Sequence, residues 1–212
     1  MGDVVATLKS LLHSGVIEIL IRGGPVMVPL LLASIISLAI IIERLFFWRR
    51  LRREEIDSTV FVLVADGKIE PALKILYESR HPISRVLQAG LEYRHRAPGI
   101  AMQATAQAEL QHAKSYLSVL DTIITLAPLL GLLGTITGMI SAFGIVSATG
   151  LGQPTAITGG IAEALIATAT GLFVAIMTLV PYNYLRTKVE QFTERLEERS
   201  TRLELLLKQQ EH

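Results

Sequence analysis

The chain has 212 residues, of which 50% are hydrophobic and only 18% are charged, with a formal net charge of +1 and a mean hydropathy of +0.47. Soluble domains usually carry about 25% charged residues, so this composition indicates a membrane protein and excludes a disordered chain or a strongly basic nucleic-acid-binding protein. The absence of cysteine excludes disulfides and thiol chemistry, and the five histidines lack the spacing of metal ligands, so neither a metal nor a cofactor is expected.

The first 22 residues alternate apolar and polar side chains at helical spacing. Glu18 and Arg22 interrupt the apolar stretch, and no cleavage pattern of small residues follows, so a signal peptide is not expected. The pattern instead predicts an amphipathic helix over 1–22 that lies on the membrane surface.

Three later segments are apolar and long enough to cross a membrane, which takes about 20 residues. The first, 23–47, is uncharged over its first 20 residues and ends in an aromatic and basic turn. A second uncharged stretch of 41 residues is too long for one helix, and the Gly- and Pro-containing segment 148–156 divides it. The second and third spans are therefore predicted at 121–147 and 157–184.

The basic residues are distributed unevenly about these spans. Of the 20 lysines and arginines, two precede the first span, twelve lie between Arg44 and Lys114, none lies between the second and third spans, and six follow the third. By the positive-inside rule, the N-terminus and the 148–156 loop face outside, whereas 48–120 and 185–212 are cytoplasmic. In a bacterium this orientation predicts an inner-membrane protein with a periplasmic N-terminus and a cytoplasmic C-terminus.

The cytoplasmic segments are predicted to be helical. Within 48–120, which is too long for a simple loop, two proline-initiated patterns predict short helices at 71–79 and 82–94. The stretch 100–120 contains no breaker, so it is predicted to form one long helix with the second span. The third span continues into 185–212, whose apolar spacing is typical of a helix that packs on neighbours. No phosphate loop, nucleophile elbow or carboxylate pair indicates an enzyme.

The second and third spans carry stripes of small residues, which let neighbouring helices approach closely. The stripe positions are Gly131, Gly134 and Gly138 in the second span, and Gly160, Ala164, Ala167 and Gly171 in the third. Taken alone, they indicate ordinary packing of helices within a membrane.

Polar groups in the same spans raise a second interpretation, an ion pathway. Thr135 and Thr137 either bond their own backbone or line a pore. Glu163 and Thr170 share a face of the third span, whereas Thr168 is displaced by roughly 140° and points to a different neighbour. A carboxylate inside a span usually marks an ion pathway. The alternative is that Glu163, near the predicted start of its helix, merely caps or orients that end.

Two segments in order resemble the MotA/TolQ/ExbB proton channel family. They are APLLGLLGTITGMISAF in the second span and GGIAEALIATATGLFVAI, followed by Tyr182 and Asn183, in the third. The three-span topology and the length of 212 residues are similar to the ExbB/TolQ branch rather than to the larger, four-span MotA. The resemblance extends over nearly the whole chain.

The resemblance implies an all-α stator that forms a homopentamer, with the second and third spans lining a central pore. Two copies of a single-span ExbD/TolR-type partner would occupy the pore, and an aspartate of the partner would carry the translocated proton. By motif position, Thr135 and Thr168 are implied to line the pore, and Glu163 to assist ion entry or release.

The sequence also departs from the family pattern. Met177 occupies the position where ExbB-like chains commonly have proline, and the proline comes later, at Pro181, which would move a kink toward the cytoplasmic end. Thr137 and Thr170 add hydroxyl groups to the spans. Because extra oxygen ligands favour a hard cation, sodium is an alternative to the proton.

Three functional interpretations follow. The first is an ExbB-like subunit that couples proton-motive force to outer-membrane transport, with a TonB-like energy transducer as a further partner. The alternative within the family is a TolQ-like role in envelope integrity and cell division. An alternative of another class is a passive membrane scaffold in which Glu163 is purely structural.

Overall fold

The computed structural model describes residues 23–51, 58–149 and 154–210, and within these ranges the chain forms helices and no strand. The helices are α1 (Met27–Leu51), α2 (Thr59–Ala65), α3 (Ile69–Glu78), α4 (Pro82–Glu92), α5 (Pro98–Ala113), α6 (Leu117–Thr149) and α7 (Pro154–Gln210). The predicted all-α class is confirmed for this part of the chain. The predicted surface helix at 1–22 and the middle of the predicted 148–156 loop lie outside the described residues.

Three helical segments are long and apolar enough to cross a membrane. They are α1, the segment Pro98–Ser147, which includes most of α6, and a segment of α7 that begins at Ile157, and the mean hydropathy of the most apolar part of each is at least 2.0. Many of their exposed side chains are large and apolar, which only lipid or another apolar surface accommodates. The three helices have the length and apolar composition predicted for membrane spans, and they fit a membrane protein.

Residues 23–41 and 119–182 form one compact unit, which contains most of the apolar helical length. Its core joins side chains from all three spans: Val26 just before α1, Met27, Leu30 and Ala33 of α1, Ile123 and Ala127 of α6, and Val174 and Ala175 of α7. The mixture of small and branched side chains is typical of helices that must fit closely, because lipid supplies no hydrophobic driving force between them.

Residues 42–118 and 183–210 form a second compact unit. Its core includes Phe61 of α2, Leu76 of α3, Leu87 of α4 and Leu203 of α7. The guanidinium group of Arg202 lies 4.7 Å from the centre of the Phe61 ring. The apolar side chains of 185–210, whose spacing predicted a packed helix, therefore contact helices of the same chain.

Two short helices of this second unit, α3 and α4, form where prolines near their starts predicted them. α3 begins two residues before Pro71, and α4 begins at Pro82, where the ring Nδ1 of His81 accepts a hydrogen bond from the Ile83 N–H at 3.2 Å. The hydroxyl of Tyr77 on α3 donates to Glu92 on α4 at 2.6 Å. This hydrogen bond lowers the pKa of Glu92 and links the two helices. α2 was not predicted.

The predicted continuous helix from residue 100 through the second span is wrong. α5 ends at Ala113 and α6 begins at Leu117, and between them Tyr116 has a left-handed backbone with φ of 63°. No glycine or proline marks this break in the sequence. By contrast, α7 runs without interruption from Pro154 to Gln210, with Pro181 inside it.

A buried arginine from α1 holds the break between α5 and α6. Arg44, only 3% exposed, donates to the carbonyl oxygen of His112 at 3.1 Å, and its guanidinium lies 5.4 Å from the centre of the Tyr116 ring. Glu43 accepts two further hydrogen bonds from it, at 2.5 and 2.6 Å. The cation thus adds a charged hydrogen bond to a carbonyl at the end of α5 that also accepts the Ser115 N–H at 3.3 Å.

We expect Arg44→Gln to lower the thermal stability of the detergent-solubilised protein, because it removes a charged hydrogen bond and a cation–aromatic contact, a loss of about 2 kcal/mol. Arg49→Gln is the matched control, since Arg49 lies in the last turn of the same helix and is exposed. Equal melting temperatures for the two variants, measured by circular dichroism, would contradict this account of the break.

Candidate functional site

The backbones of α6 and α7 lie in contact at the centre of the first unit. A Cβ atom added to Gly171 would lie 2.5 Å from the Ala127 carbonyl oxygen and 3.1 Å from the Gly131 Cα. One added to Gly131 would lie 3.0 Å from the Thr168 Cα. A Cβ at position 171 would therefore overlap the α6 backbone, and one at position 131 would require α7 to shift by a few tenths of an ångström.

The same contact continues toward the 148–156 end of both helices. A Cβ on Gly138 would lie 3.0 Å from the Ala164 Cβ and 3.0 Å from the Gly160 carbonyl oxygen, and one on Gly134 would collide with the Ala167 Cβ. The structure therefore brings all seven small residues of the two predicted stripes into one helix–helix contact. They hold α6 and α7 as a pair within a single subunit.

Thr168 bonds across this contact. Its hydroxyl donates to the Gly131 carbonyl oxygen on α6 at 2.9 Å, and its side chain is half-buried. The bond forms because glycine at both 131 and 171 lets the two backbones approach. The sequence prediction that Thr168 points to a different neighbour from Glu163 agrees with this geometry.

The other three threonines bond their own helices. The hydroxyl of Thr135 donates to Leu132 at 2.6 Å, that of Thr137 to Leu133 at 3.0 Å, and that of Thr170 to Ile166 at 2.8 Å, in each case to a backbone carbonyl oxygen. Of the two interpretations open for Thr135 and Thr137, these bonds match the backbone one. They leave the hydroxyl oxygens available to a neighbour, because Thr137 is exposed and Thr135 and Thr170 are half-buried.

Glu163 lies against the turn that precedes α1. A Cβ atom on Gly24 would collide with Glu163 Oε1 and would lie 2.8 Å from its Cδ, so the carboxylate rests directly on the Gly24 backbone. Gly24 has a φ of +72°, a conformation that glycine adopts without strain. The structure thus places Glu163 toward α1 and Thr168 toward α6, on different sides of α7.

The start of α7 also bears on the role of Glu163. The helix begins at Pro154, three residues before the predicted start, so Glu163 is its tenth residue and lies about 14 Å along the axis. Helix capping and the helix dipole act within the first turn. Glu163 is therefore too far along α7 to cap it, whereas its contact with Gly24 leaves open a role in orienting this end of the helix.

Two residues that matter for the packing of the spans were not predicted from the sequence. One is Gly24, which the segment Gly23-Gly24-Pro25 marks only as a turn, with no signal that a carboxylate would contact it. The other is Thr178, which is 1% exposed and donates to the Val174 carbonyl oxygen at 2.8 Å. Its helical spacing from Ala175 and Gly171 places it on the side of α7 that packs inward.

Comparison with known proteins shows which family contains the helices that carry the polar side chains described above. A sequence model of the MotA/TolQ/ExbB proton channel family matches residues 78–198, more than half of the chain, and includes Thr135, Glu163 and Thr168. The chain belongs to this family. The resemblance that the motifs of the second and third spans indicated is confirmed.

Relatives from the family's ExbB and TolQ members are similar to different extents. The biopolymer transport protein ExbB-like 1 of Synechocystis sp. is 43% identical over 175 residues, which are 78% of this chain and 68% of the relative. ExbB-like 3 of the same organism is 36% identical over 194 residues, 87% and 91% of the two chains. The Tol-Pal system protein TolQ of Haemophilus influenzae is 37% identical over 89 residues, 42% of this chain and 39% of TolQ.

We expect Gly24→Ala to destabilise the protein beyond the strain of a left-handed backbone, because the new methyl group would displace the Glu163 carboxylate. Gly67→Ala is the control for strain alone, since Gly67 has a φ of +76° and no atom within 4 Å of an added Cβ. Strain should lower the stability of both variants by about 1 kcal/mol.

A double-mutant cycle separates the two effects. In a Glu163→Ala background, Gly24→Ala should lose its additional effect and match Gly67→Ala in thermal unfolding. If Gly24→Ala lowered the stability equally in the wild-type and Glu163→Ala backgrounds, its effect would not come from displacing the carboxylate.

Proposed function

We propose that this chain is the channel and stator subunit of an ion-driven motor in the bacterial inner membrane. The observation that carries the proposal is the family match over 78–198, which contains α6 and the first part of α7. In these helices the polar groups Thr135, Glu163 and Thr168 lie within apolar spans. A pathway for an ion through a bilayer requires such groups.

The sequence supports the need for a partner that carries the proton. Between Asp121 and Arg186, Glu163 is the only charged residue, and its carboxylate rests on the turn before α1. The contact between α6 and α7 contains hydroxyl groups and small residues without a carboxylate. We therefore assign the titrating group to an ExbD/TolR-type subunit, two copies of which would occupy the pore of a homopentamer.

The distribution of basic residues supports the orientation. With 18 of 20 lysines and arginines following the first span or the third, the positive-inside rule assigns the 42–118 and 183–210 unit to the cytoplasm and the N-terminus to the periplasm. Each proton that enters from the periplasm would then deliver roughly 2.3 kcal/mol per 100 mV of membrane potential.

The relatives favour an ExbB-like role over a TolQ-like one. The two Synechocystis relatives extend over 78% and 87% of this chain and are named as biopolymer transport proteins, whereas the TolQ match extends over 42%. The ExbB-like role is to energise outer-membrane transport through a TonB-like transducer. Neighbouring genes separate the two: a siderophore-type receptor indicates the ExbB-like role, and genes similar to those of Pal and TolB indicate the TolQ-like role.

Reconstitution in liposomes tests the channel against the passive scaffold. We expect a proton flux, under an imposed membrane potential, only when this chain and its ExbD/TolR-type partner are both present. Equal flux from the partner alone would make this chain a scaffold. Flux that persists after sodium is replaced by choline, and that a protonophore abolishes, would exclude sodium as the coupling ion.

Thr168→Val should preserve assembly and reduce this flux roughly tenfold, which corresponds to one lost hydrogen bond of about 1.4 kcal/mol. Valine keeps the shape of threonine but cannot bond the Gly131 carbonyl oxygen or a passing ion. Thr168→Ser retains the hydroxyl and should keep most of the flux. Thr125→Val is the control in α6, because its exposed hydroxyl bonds only its own helix. Wild-type flux in Thr168→Val would remove this hydroxyl from the pathway.

A further inference from the structure

A pocket rich in guanidinium groups lies in the unit formed by 42–118 and 183–210. Its volume is about 300 Å³, and the end of α1, the start of α4 and the end of α5 surround it. Arg50, Arg80 and Arg85 line it together with Phe47, Leu51 and Glu109. Neither the ion pathway nor the helix contacts described above use these side chains.

The pocket carries an excess of positive charge. Arg85 Nη1 lies 2.9 Å from Glu109 Oε1, and the Glu109 side chain is only 13% exposed, so this carboxylate is committed to Arg85. Among the residues that the structure describes, neither Arg50 nor Arg80 has a carboxylate partner. Within the described part of the chain, two guanidinium groups thus face the pocket without a carboxylate, and the exposed His112 adds a third donor.

The chemistry of the donors points to a phosphate group. Guanidinium groups bind phosphate through paired hydrogen bonds, and two of them in one pocket suit a phosphodiester better than a single carboxylate. The backbone at the start of α4 adds little, because Pro82 has no N–H and the Ile83 N–H already donates to His81. The arginine side chains would thus supply the binding.

The apolar side of the pocket indicates where the phosphate comes from. Phe47 and Leu51 belong to α1, and the preceding turns of this helix expose Ile42 and Phe46 at 46% and 66%. Arg49 and Arg50 lie in the last turn, where a spanning helix meets the lipid headgroups. A ligand with an anionic head and an apolar chain matches this pocket, because its basic side chains lie next to an apolar face of α1.

We propose that the pocket binds the headgroup of an anionic phospholipid, with its phosphate on Arg50 and Arg80 and its acyl chains along α1. Under the proposed orientation this lipid belongs to the cytoplasmic leaflet. It would fix the end of α1 and the start of α4 to the membrane surface. The proposal does not depend on ion flux. Lipid binding can therefore be refuted while the channel function holds, and the channel function can be refuted while lipid binding holds.

Trp48 provides the measurement, because it is the only tryptophan of the chain and its ring lies 5.5 Å from that of Phe47. The full chain is reconstituted in phosphatidylcholine nanodiscs that contain a small fraction of brominated phosphatidylglycerol or of brominated phosphatidylcholine. We expect phosphatidylglycerol to quench Trp48 fluorescence at a roughly 30-fold lower mole fraction, given two arginines at the headgroup.

Arg50→Gln with Arg80→Gln should abolish this preference. The matched control, Lys68→Gln with Lys74→Gln, removes two exposed positive charges from outside the pocket and should leave the preference unchanged. Equal quenching by the two brominated lipids in the wild type would overturn the proposal, as would the same loss in the control variant. Should the arginine variant fail to assemble, the wild-type comparison decides alone.

A second arm separates lipid from free phosphate. Millimolar inorganic phosphate is added at constant ionic strength, and the quenching by brominated phosphatidylglycerol is measured again. Unchanged quenching supports the lipid headgroup. Relief of quenching by phosphate, but not by chloride, would assign the pocket to a free phosphate and overturn the lipid assignment.

Discussion

Direct contact between the backbones of α6 and α7 is the constraint on which the membrane-spanning part of this protein depends. In lipid, apolar side chains gain little by leaving the solvent, so helices associate through close van der Waals contact and the few polar bonds that it permits. Glycine at 131 and 171 removes the side chains that would separate the helices, and the Thr168 hydroxyl then reaches a carbonyl oxygen on α6. A larger residue at either glycine would break both interactions together.

The position of α1 also depends on glycine residues that let other groups approach closely. Val26 lies 3.7 Å from where a Cβ on Gly134 would be, and Gly24 accepts the Glu163 carboxylate against its backbone. Each of the three spans therefore approaches another at a glycine. The one carboxylate of the third span is consequently held by protein on the side of α1 and is partly exposed.

Much of this arrangement was readable from sequence, for identifiable reasons. Runs of uncharged residues predict spans because the bilayer imposes a length, and the small-residue stripes at 131–138 and 160–171 predict the helix contact because their spacing is helical. The break at Tyr116 was not readable. Arg44, which contacts the break, is 72 residues away from Tyr116 in sequence, and long-range contacts leave no local pattern. The partners of Thr168 and Glu163 were hidden for the same reason.

The hydroxyl hydrogens of the span threonines have a consequence for what an adjacent pore can hold. Thr135, Thr137, Thr168 and Thr170 each give their hydrogen to a backbone carbonyl oxygen. Toward any guest they therefore act as acceptors only. In the proposed channel such a lining would stabilise a protonated carboxylic acid, which donates a hydrogen bond, in preference to an ionised carboxylate. In the proposed channel, the neutral form of a partner aspartate would bind these walls and the charged form would have to turn away from them, so the threonines would discriminate between the two protonation states by hydrogen-bond polarity alone.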